Sequence, residues 1–200
     1  LANKDLKPPF ISLVVSGGHT YLVKVKSYTD YEIVGKTRDD AAGESFDKVA
    51  RKMGLGYPGG PKIDKIAKKG NKEAVAFPRV MLEKDSYDFS FSGLKTAVIN
   101  YMHQLEQKGE KLNKADIAAS FEEAVVDVLV EKSMRLIDET AYDKLAVSGG
   151  VAANSRLKER LEESCKQKDI KFYYPSLELC TDNAAMIAMT GYLDYKSGQR

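Results

Sequence analysis

The sequence predicts an α/β protein built on one mixed β-sheet. Three short β-prone segments fill the first forty residues, and the connections between them are too short for helical crossovers, which indicates an antiparallel meander. After about residue 144, short apolar strands alternate with helical segments, which indicates parallel strands joined by right-handed crossovers. Between these two parts, apolar residues recur at helical spacing.

The individual elements follow from local patterns. Residues 10–15 form an unbroken β-prone run, residues 21–26 alternate, and residues 31–35 follow a turn. Helices are predicted at 39–53, 62–69, 93–105, 115–139, 151–166 and 184–195, and two further strands at 145–147 and 172–174. Thr181 or Asp182 is the expected N-cap of the last helix. This order of elements is typical of one lobe of the ribonuclease-H-like, or actin-like, ATPase fold.

The composition is ordinary for a globular protein, since 43% of the residues are hydrophobic and 30% are charged. No apolar run approaches the roughly 20 residues that a membrane-spanning helix needs, so we expect no membrane partner and a cytoplasmic location. Cys165 and Cys180 lack a CxxC spacing and are expected to be free thiols, with one disulfide as the alternative. The net charge of +2 gives no global argument for nucleic acid. Two basic runs, at 62–72 and 158–168, are either solvated helix faces or contacts for a polyanion.

The strongest chemical signal is a Ser-Gly-Gly sequence that follows two apolar strands, at 16–18 and at 148–150. Paired glycines let the backbone approach a ligand closely, with N–H groups directed at phosphate oxygens. A helix predicted directly after Gly150 adds the positive end of its dipole, and the hydroxyls of Ser16 and Thr20 are candidate donors. Each loop taken alone is ordinary for a tight strand exit, whereas two such loops on neighbouring strands favour a ligand site.

Other nucleotide-binding and metal-binding motifs do not fit. Glycines at 54, 56 and 59 match a dinucleotide-binding pattern, but they follow a helix and include Pro58, whereas that motif needs a strand, a tight turn and then a helix. They remain a candidate ligand loop, with Asp64 one turn into the next helix. The chain has no GxxxxGK[ST] and no HExxH sequence. The acidic residues within 39–47 form either a solvated turn or a set of ribose- or metal-facing carboxylates.

Six segments together carry a specific resemblance. They are VVSGGHT at 14–20, DDAAGESFDK at 39–48, YPGGP at 57–61, DFSFSGLKT at 88–96, SGGVAAN at 148–154 and CTDNAAMIA at 180–188. These segments resemble the TsaD family, which contains the tRNA threonylcarbamoyladenosine biosynthesis protein, historically called O-sialoglycoprotein endopeptidase or glycoprotease. The resemblance extends from about residue 9 to residue 198.

The resemblance implies an actin-like (ASKHA) fold of two lobes. It implies the transfer of a threonylcarbamoyl group from threonylcarbamoyl-AMP to the adenosine beside the anticodon of tRNA. The implied cofactors are an ATP- or AMP-type nucleotide and one divalent metal, iron or zinc. The implied partners are tRNA, a non-catalytic paralogue and a small P-loop ATPase, in a homo- or heterodimer. The general base is left unassigned.

Transferred position by position, the resemblance implies nucleotide binding by Val14, Val15, Ser16, Gly17, Gly18, Asp47, Gly60, Asp64 and Asn154. The two aspartates are expected to accept hydrogen bonds from ribose hydroxyls, and the Asn154 amide to contact the nucleotide. Asp182 matches the family's carboxylate metal ligand. The two histidines that complete that metal site in the family have no counterpart in this chain.

The chain is therefore expected to be the carboxyl-side lobe, with a core at about 9–56 and 115–198, a helical insertion at about 57–114, and no preceding lobe. Because a single carboxylate binds iron or zinc weakly, we expect no bound metal and little or no transfer activity in these 200 residues. Three alternatives stay open: a metal-dependent O-sialoglycoprotein endopeptidase, an ASKHA-type small-molecule kinase, and a catalytically inactive scaffolding paralogue.

Overall fold

The structure is a computed structural model that describes residues 3, 5–81, 83, 85–180 and 183–198. Its elements follow in the order β1 (Phe10–Val15), β2 (Thr20–Val25), β3 (Tyr31–Lys36), α1 (Ala42–Lys52), α2 (Gly59–Ala67), α3 (Ser92–Gln107), α4 (Lys114–Thr140), β4 (Lys144–Ser148), α5 (Ser155–Gln167), β5 (Lys171–Tyr173) and α6 (Ala184–Ser197). Short 3-10 turns precede α5 at Gly150–Ala153 and α6 at Leu177–Leu179. None of the helices described is long and apolar enough to cross a membrane.

The five strands form one mixed sheet in the order β3-β2-β1-β4-β5. β1 and β2, and β2 and β3, pair antiparallel, whereas β4 pairs parallel with both β1 and β5. The predicted meander with two parallel additions is therefore confirmed. Because β1 lies at the centre of the sheet, the side chains of its inward face, Ile11, Leu13 and Val15, are completely buried.

The long helix α4 runs through the interior and contacts α2, α3, α5 and β1. Phe121, Val125 and Leu129 on this helix are completely buried. Phe121 packs edge-on against Phe46 of α1, with 5.2 Å between the ring centroids. A helix that is apolar on most of its sides is buried on most of its sides, so α4 joins the sheet and the other helices into one core.

Three predicted helix starts are wrong. The first helix begins at Ala42 and not at residue 39, because the Asp39 carboxylate instead binds the N–H groups at the start of α3. The second helix begins at Gly59 and not at residue 62, because the carboxylate of Asp47 accepts a hydrogen bond from the Gly59 N–H and provides a distant cap. The helix expected at 151–166 is divided into a 3-10 turn and α5. Asn154 separates the two, and its side-chain oxygen accepts a hydrogen bond from the Leu157 N–H.

The N-cap expected for the last helix is also wrong. Asn183 caps α6, since its side-chain oxygen accepts a hydrogen bond from the Met186 N–H. Thr181 and Asp182, the two expected caps, lie outside the described residues.

Within 57–114, an isolated parallel bridge joins Phe89 to Thr37. The division of the chain into a core and an insertion stays a prediction.

Candidate functional site

The two Ser-Gly-Gly loops lie side by side. β1 and β4 are parallel neighbours, with Val14 opposite Ser148, so both strands end at the same edge of the sheet. Gly149 has a φ of +94°, and a Cβ at this position would lie 2.3 Å from the carbonyl oxygen of Val15. Only glycine allows the second loop to approach the first so closely.

The first loop is held by its own hydrogen bonds. Ser16 Oγ accepts hydrogen bonds from the N–H groups of Gly18 (3.3 Å) and His19 (3.0 Å). The Ser16 carbonyl accepts one from the Gly43 N–H at 3.1 Å, which attaches α1 to the loop. Thr20 is completely buried and its hydroxyl accepts a hydrogen bond from the start of α1, so the expectation that it donates to a ligand is wrong.

A cavity of about 500 Å³ opens beside these loops. Five of the nine predicted nucleotide-binding residues line it, namely Gly17, Asp47, Gly60, Asp64 and Asn154. The remaining lining comes from Gly43, Phe46, Tyr57, Pro58, Pro61, Gly150, Val151 and Ala153. The tertiary structure thus brings both Ser-Gly-Gly loops, α1 and the start of α2 around one space.

The other four predicted residues are described by the structure but do not line this cavity. Val15 is completely buried on the inward face of β1, and Val14 is half-buried on the opposite face. Ser16 organises the turn through its hydroxyl, and Gly18 is exposed beyond it. These four residues therefore position the loop at the edge of the cavity.

Two other cavities are present among the described residues. One of about 350 Å³ lies between the sheet and α6, and one of about 550 Å³ lies between α2, α4 and α5. Neither is lined by any of the nine predicted residues. The cavity beside the Ser-Gly-Gly loops is therefore the candidate site, and we refer to it below as the loop cavity.

The two carboxylate oxygens of Asp47 differ: one accepts a hydrogen bond within the protein, and the other is free to accept one from a ligand. Its Oδ1 accepts a hydrogen bond of 2.6 Å from the Gly59 N–H and so caps α2, whose own N-cap residue, Pro58, has no side-chain cap. Among the described residues, Oδ2 of Asp47 has no hydrogen-bond partner. This half-buried carboxylate can therefore accept a hydrogen bond from a hydroxyl in the loop cavity.

Asp64 and Asn154 are engaged at the start of α5. Asp64 Oδ1 accepts hydrogen bonds from the N–H and the hydroxyl of Ser155, and Oδ2 forms an ion pair of 3.2 Å with Lys68. Asn154 is buried, caps α5 through Oδ1, and donates from Nδ2 to Glu122 Oε1 at 2.6 Å. Both side chains line the loop cavity, and each keeps further hydrogen-bonding capacity, because a carboxylate oxygen can accept a second hydrogen bond and an amide NH2 carries a second N–H.

The sequence-based prediction missed Glu122. This residue of α4 is only 4% exposed, and burial raises the pKa of its carboxyl to about 7. The hydrogen bond from Asn154 opposes that shift, and the nearby negative charge of Asp64 adds to it. A glutamate next to Phe121 within the apolar stripe of a long helix was the available signal, because charged residues are rarely buried without a partner.

The acidic segment before α1 does not face the loop cavity. Asp39 caps α3, since Oδ1 accepts hydrogen bonds from the N–H groups of Phe91 and Ser92. Asp40 forms ion pairs of 2.7 Å with Lys48 and with Lys95. Although burial alone would raise the pKa of Asp40, the hydrogen bonds from these two lysines hold it below its ordinary value. Asp39 and Asp40 therefore match neither interpretation of this segment, since both carboxylates are engaged by other groups of the protein.

The metal implied by the resemblance has no ligand set in the part of the chain that the structure describes. Asp182, the one predicted ligand, lies outside the described residues. Within them, no three His, Cys, Asp or Glu side chains are grouped so as to hold a metal ion. The residues described do not fit a metal site, and no chemical step is assigned to a metal here.

Comparison with known proteins identifies the relatives of this chain. Residues 1–189 match the model of the family TsaD, tRNA N6-adenosine threonylcarbamoyltransferase. A tRNA N6-adenosine threonylcarbamoyltransferase of Clostridium botulinum strain Hall is 59% identical over 197 residues, which are 98% of this chain and 58% of that protein. One of Clostridioides difficile strain 630 is 56% identical over 199 residues, which are 100% of this chain and 59% of that protein. The chain thus spans less than two thirds of these curated relatives.

Solved structures support the fold. Full-length HypF in its phosphate- and nucleotide-bound form aligns with a TM-score of 0.66 at 16% identity, over 88% of this chain and 38% of that chain. The activator of 2-hydroxyisocaproyl-CoA dehydratase from Clostridium difficile, with bound ADPNP, aligns with a TM-score of 0.55 at 13% identity, over 100% of this chain and 65% of that chain.

The predicted α/β lobe of the actin-like (ASKHA) type is confirmed by these likenesses and by the mixed sheet. The relatives reported above are named as transferases, and nothing among them favours a peptidase or a kinase. The match of the family model to nearly the whole chain, together with more than half identity to curated members, shows that this protein belongs to the TsaD family.

Proposed function

We propose that this chain is the nucleotide-binding part of a tRNA N6-adenosine threonylcarbamoyltransferase. The observation that carries this proposal is the loop cavity, where five predicted nucleotide-binding residues from distant parts of the chain meet. In the proposed reaction, the exocyclic amine of an adenosine in tRNA attacks the carbamoyl carbon of threonylcarbamoyl-AMP. A C–N bond forms, the bond between the carbamoyl carbon and the phosphate oxygen breaks, AMP leaves, and the amine releases one proton to solvent.

The glycines around the loop cavity support a bound ligand. Gly17, Gly60 and Gly150 line the cavity, and a Cβ on any of them would meet no protein atom within 4 Å. Neither packing nor a positive φ therefore requires glycine at these three positions. In contrast, a Cβ at Gly59 would lie 2.6 Å from backbone of α1. Glycines that no protein contact demands leave room for a ligand to approach the backbone.

The start of α2 provides a second supporting feature. The Gly59 N–H is occupied by Asp47, and Pro61 has no N–H, so Gly60 presents an N–H of the first turn that no side chain caps. The positive end of a helix dipole favours anions at this position. We assign the Gly60 N–H to a phosphate or acyl oxygen of the substrate.

Asp47 is the side chain that we assign to the ribose. Its unpartnered Oδ2 is an acceptor, and ribose hydroxyls are donors. Asp64 and Asn154 hold the start of α5, and thus the wall of the cavity, through their internal hydrogen bonds. A substrate fixed by these groups would be oriented for attack, which lowers the entropic part of the barrier.

The wider assembly follows from family membership. We propose tRNA as the acceptor substrate, a non-catalytic paralogue and a small P-loop ATPase as partners in a dimeric assembly, and the cytoplasm as the location. The free, buried thiols of Cys165 and Cys180 agree with a reducing compartment.

The basic run at 62–72 contains two kinds of lysine. Three of them bind groups of the protein itself, namely Lys62, Lys68 and Lys72. Lys65 and Lys69 are exposed and available to a polyanion.

Calorimetric titration of the chain with AMP tests this proposal. Asp47→Asn keeps an oxygen for the Gly59 N–H but removes the charge, so we expect binding to weaken about tenfold or more. Gly60→Ala places a methyl group beside the cavity and should weaken binding as well. The control is Asp30→Ala, which changes an exposed carboxylate in the turn between β2 and β3. Equal binding by the Asp47→Asn and control variants, with unchanged thermal stability, would contradict the assignment.

A further inference from the structure

Tyr57 is an aromatic side chain in an unusual position. It lines the loop cavity, yet 76% of its surface is exposed to solvent. Neither the resemblance nor the sequence motifs assign a role to this residue. A large aromatic ring left exposed at the rim of a cavity is available to a ligand, because contact with a second flat apolar surface would remove both from water.

The backbone around Tyr57 is held in place although its ring is exposed. Lys62 Nζ donates hydrogen bonds to the carbonyl oxygens of Leu55 (2.8 Å) and Tyr57 (3.1 Å). Two residues later, the Gly59 N–H is fixed by Asp47. The ring is therefore carried on a segment anchored on both sides, and a ligand that contacts it loses little backbone freedom.

The position of Tyr57 relative to Asp47 identifies the part of the ligand that it meets. The Asp47 carboxylate that we assign to the ribose accepts a hydrogen bond from the N–H of Gly59, which is two residues along the chain from Tyr57. The rim near the ring is apolar, with Pro58 and Pro61 beside it on the same segment. In a nucleotide, the group attached to the ribose that is flat and apolar on its faces is the base.

Resting on the proposed function, we propose that Tyr57 stacks on the adenine base of the bound nucleotide. Stacking of a base on an aromatic side chain contributes about 1 to 3 kcal/mol by alanine substitution, which corresponds to a change in affinity of roughly five- to 150-fold. The hydroxyl of tyrosine is not needed for this contact, whereas the ring is.

The test uses the 200-residue chain with AMP and with ribose 5-phosphate, which lacks the base. Binding is followed by calorimetry and by proton NMR of the ligand, since a stacked ring shifts the adenine H2 and H8 signals upfield. The variants are Tyr57→Ala and Tyr57→Phe. The matched control is Tyr31→Ala, which removes a tyrosine that is 65% exposed on β3.

We expect Tyr57→Ala to weaken AMP binding about tenfold and to abolish the upfield shifts, while its affinity for ribose 5-phosphate stays unchanged. Tyr57→Phe and Tyr31→Ala should behave as the wild type. If Tyr57→Ala binds AMP like the wild type, or loses AMP and ribose 5-phosphate equally, the stacking role is wrong and the nucleotide site stands. If the wild type binds no AMP, the proposed function itself fails.

Discussion

A buried carboxyl group connects the core of the protein to the loop cavity. Glu122 accepts a hydrogen bond from Asn154, which in turn caps α5 and lines the cavity. Burial raises the pKa of Glu122 to about 7, so its charge changes near neutral pH, beside two residues of the candidate site. The ionisation of Glu122 is therefore linked to the stability of the fold.

The raised pKa of Glu122 makes the folded chain less stable as the pH rises. The ordinary pKa of the group is 4.5, so between pH 4.5 and about 7 the folded chain holds a proton that the unfolded chain has lost. The contribution of Glu122 to the free energy of unfolding consequently falls as the pH rises through this window, by roughly 3 kcal/mol in total. Above pH 7 the buried charge remains a cost.

Glu122→Gln tests this contribution, because glutamine keeps the oxygen that accepts from Asn154 and cannot ionise. We expect the variant to match the wild type near pH 5 and to be more stable by up to roughly 3 kcal/mol above pH 7. Urea denaturation across this pH range measures the difference. Glu163→Gln, an exposed change on α5, is the control and should show no such divergence. Parallel pH profiles for Glu122→Gln and the wild type would disprove the shifted pKa.

At the scale of the elements, the glycines near the candidate site fall into two classes: those that close packing requires and those that only line the loop cavity. Gly43, Gly59 and Gly149 lie where a Cβ would be only 2.3–2.6 Å from the nearest backbone atom, so they let α1, α2 and the second loop approach their neighbours. Gly17 and Gly150 line the loop cavity with no protein atom within 4 Å of such a Cβ. Gly149 and Gly150 are adjacent in the second Ser-Gly-Gly sequence, but the physical reason for a glycine differs between the two positions.

Alanine substitution at adjacent glycines distinguishes these reasons. Gly149→Ala introduces a side chain at φ +94° and 2.3 Å from the Val15 carbonyl oxygen, so we expect a loss of about 3 kcal/mol or more in the free energy of unfolding. Gly150→Ala meets no neighbour and should change stability by less than about 0.5 kcal/mol. Urea denaturation of both variants gives the comparison. Similar stabilities would mean that the two loops do not approach as closely as the structure shows.

At the scale of the whole molecule, the chain spans 58% of the length of its Clostridium botulinum relative, and its described residues contain no metal-ligand group. Asp182 remains the one ligand that the family resemblance predicts here. A lone carboxylate binds iron or zinc weakly because affinity grows with the number and geometry of ligands. We therefore still predict that the 200-residue chain holds no metal and transfers little or no threonylcarbamoyl group.

Metal analysis of the purified chain checks this prediction. After incubation with iron(II) or zinc and removal of free ions, elemental analysis should find far less than one ion per chain, both in the wild type and in Asp182→Ala. Stoichiometric metal that disappears in Asp182→Ala would contradict the prediction, because it would show a complete site around that carboxylate.

Much of this fold was predictable from the chain alone. The strand at Phe10–Val15 and the long helix at Lys114–Thr140 have the expected bounds to within one residue, because apolar periodicity over a whole element is a local property. The neighbouring placement of the two Ser-Gly-Gly loops also followed, since strand order constrains which ends meet. The start of α2 did not follow, because its cap comes from Asp47, twelve residues away.

The sequence by itself determined the type of protein, through elements and motifs that are local in the chain. Only the tertiary structure decided which partners each residue of the candidate site has. It placed Asp64 against Ser155 and Asn154 against Glu122, pairs separated by 91 and 32 residues, and it left Oδ2 of Asp47 and the ring of Tyr57 free to meet a ligand. Periodicity reports which face of an element is apolar, whereas hydrogen-bond partners depend on how those faces pack together.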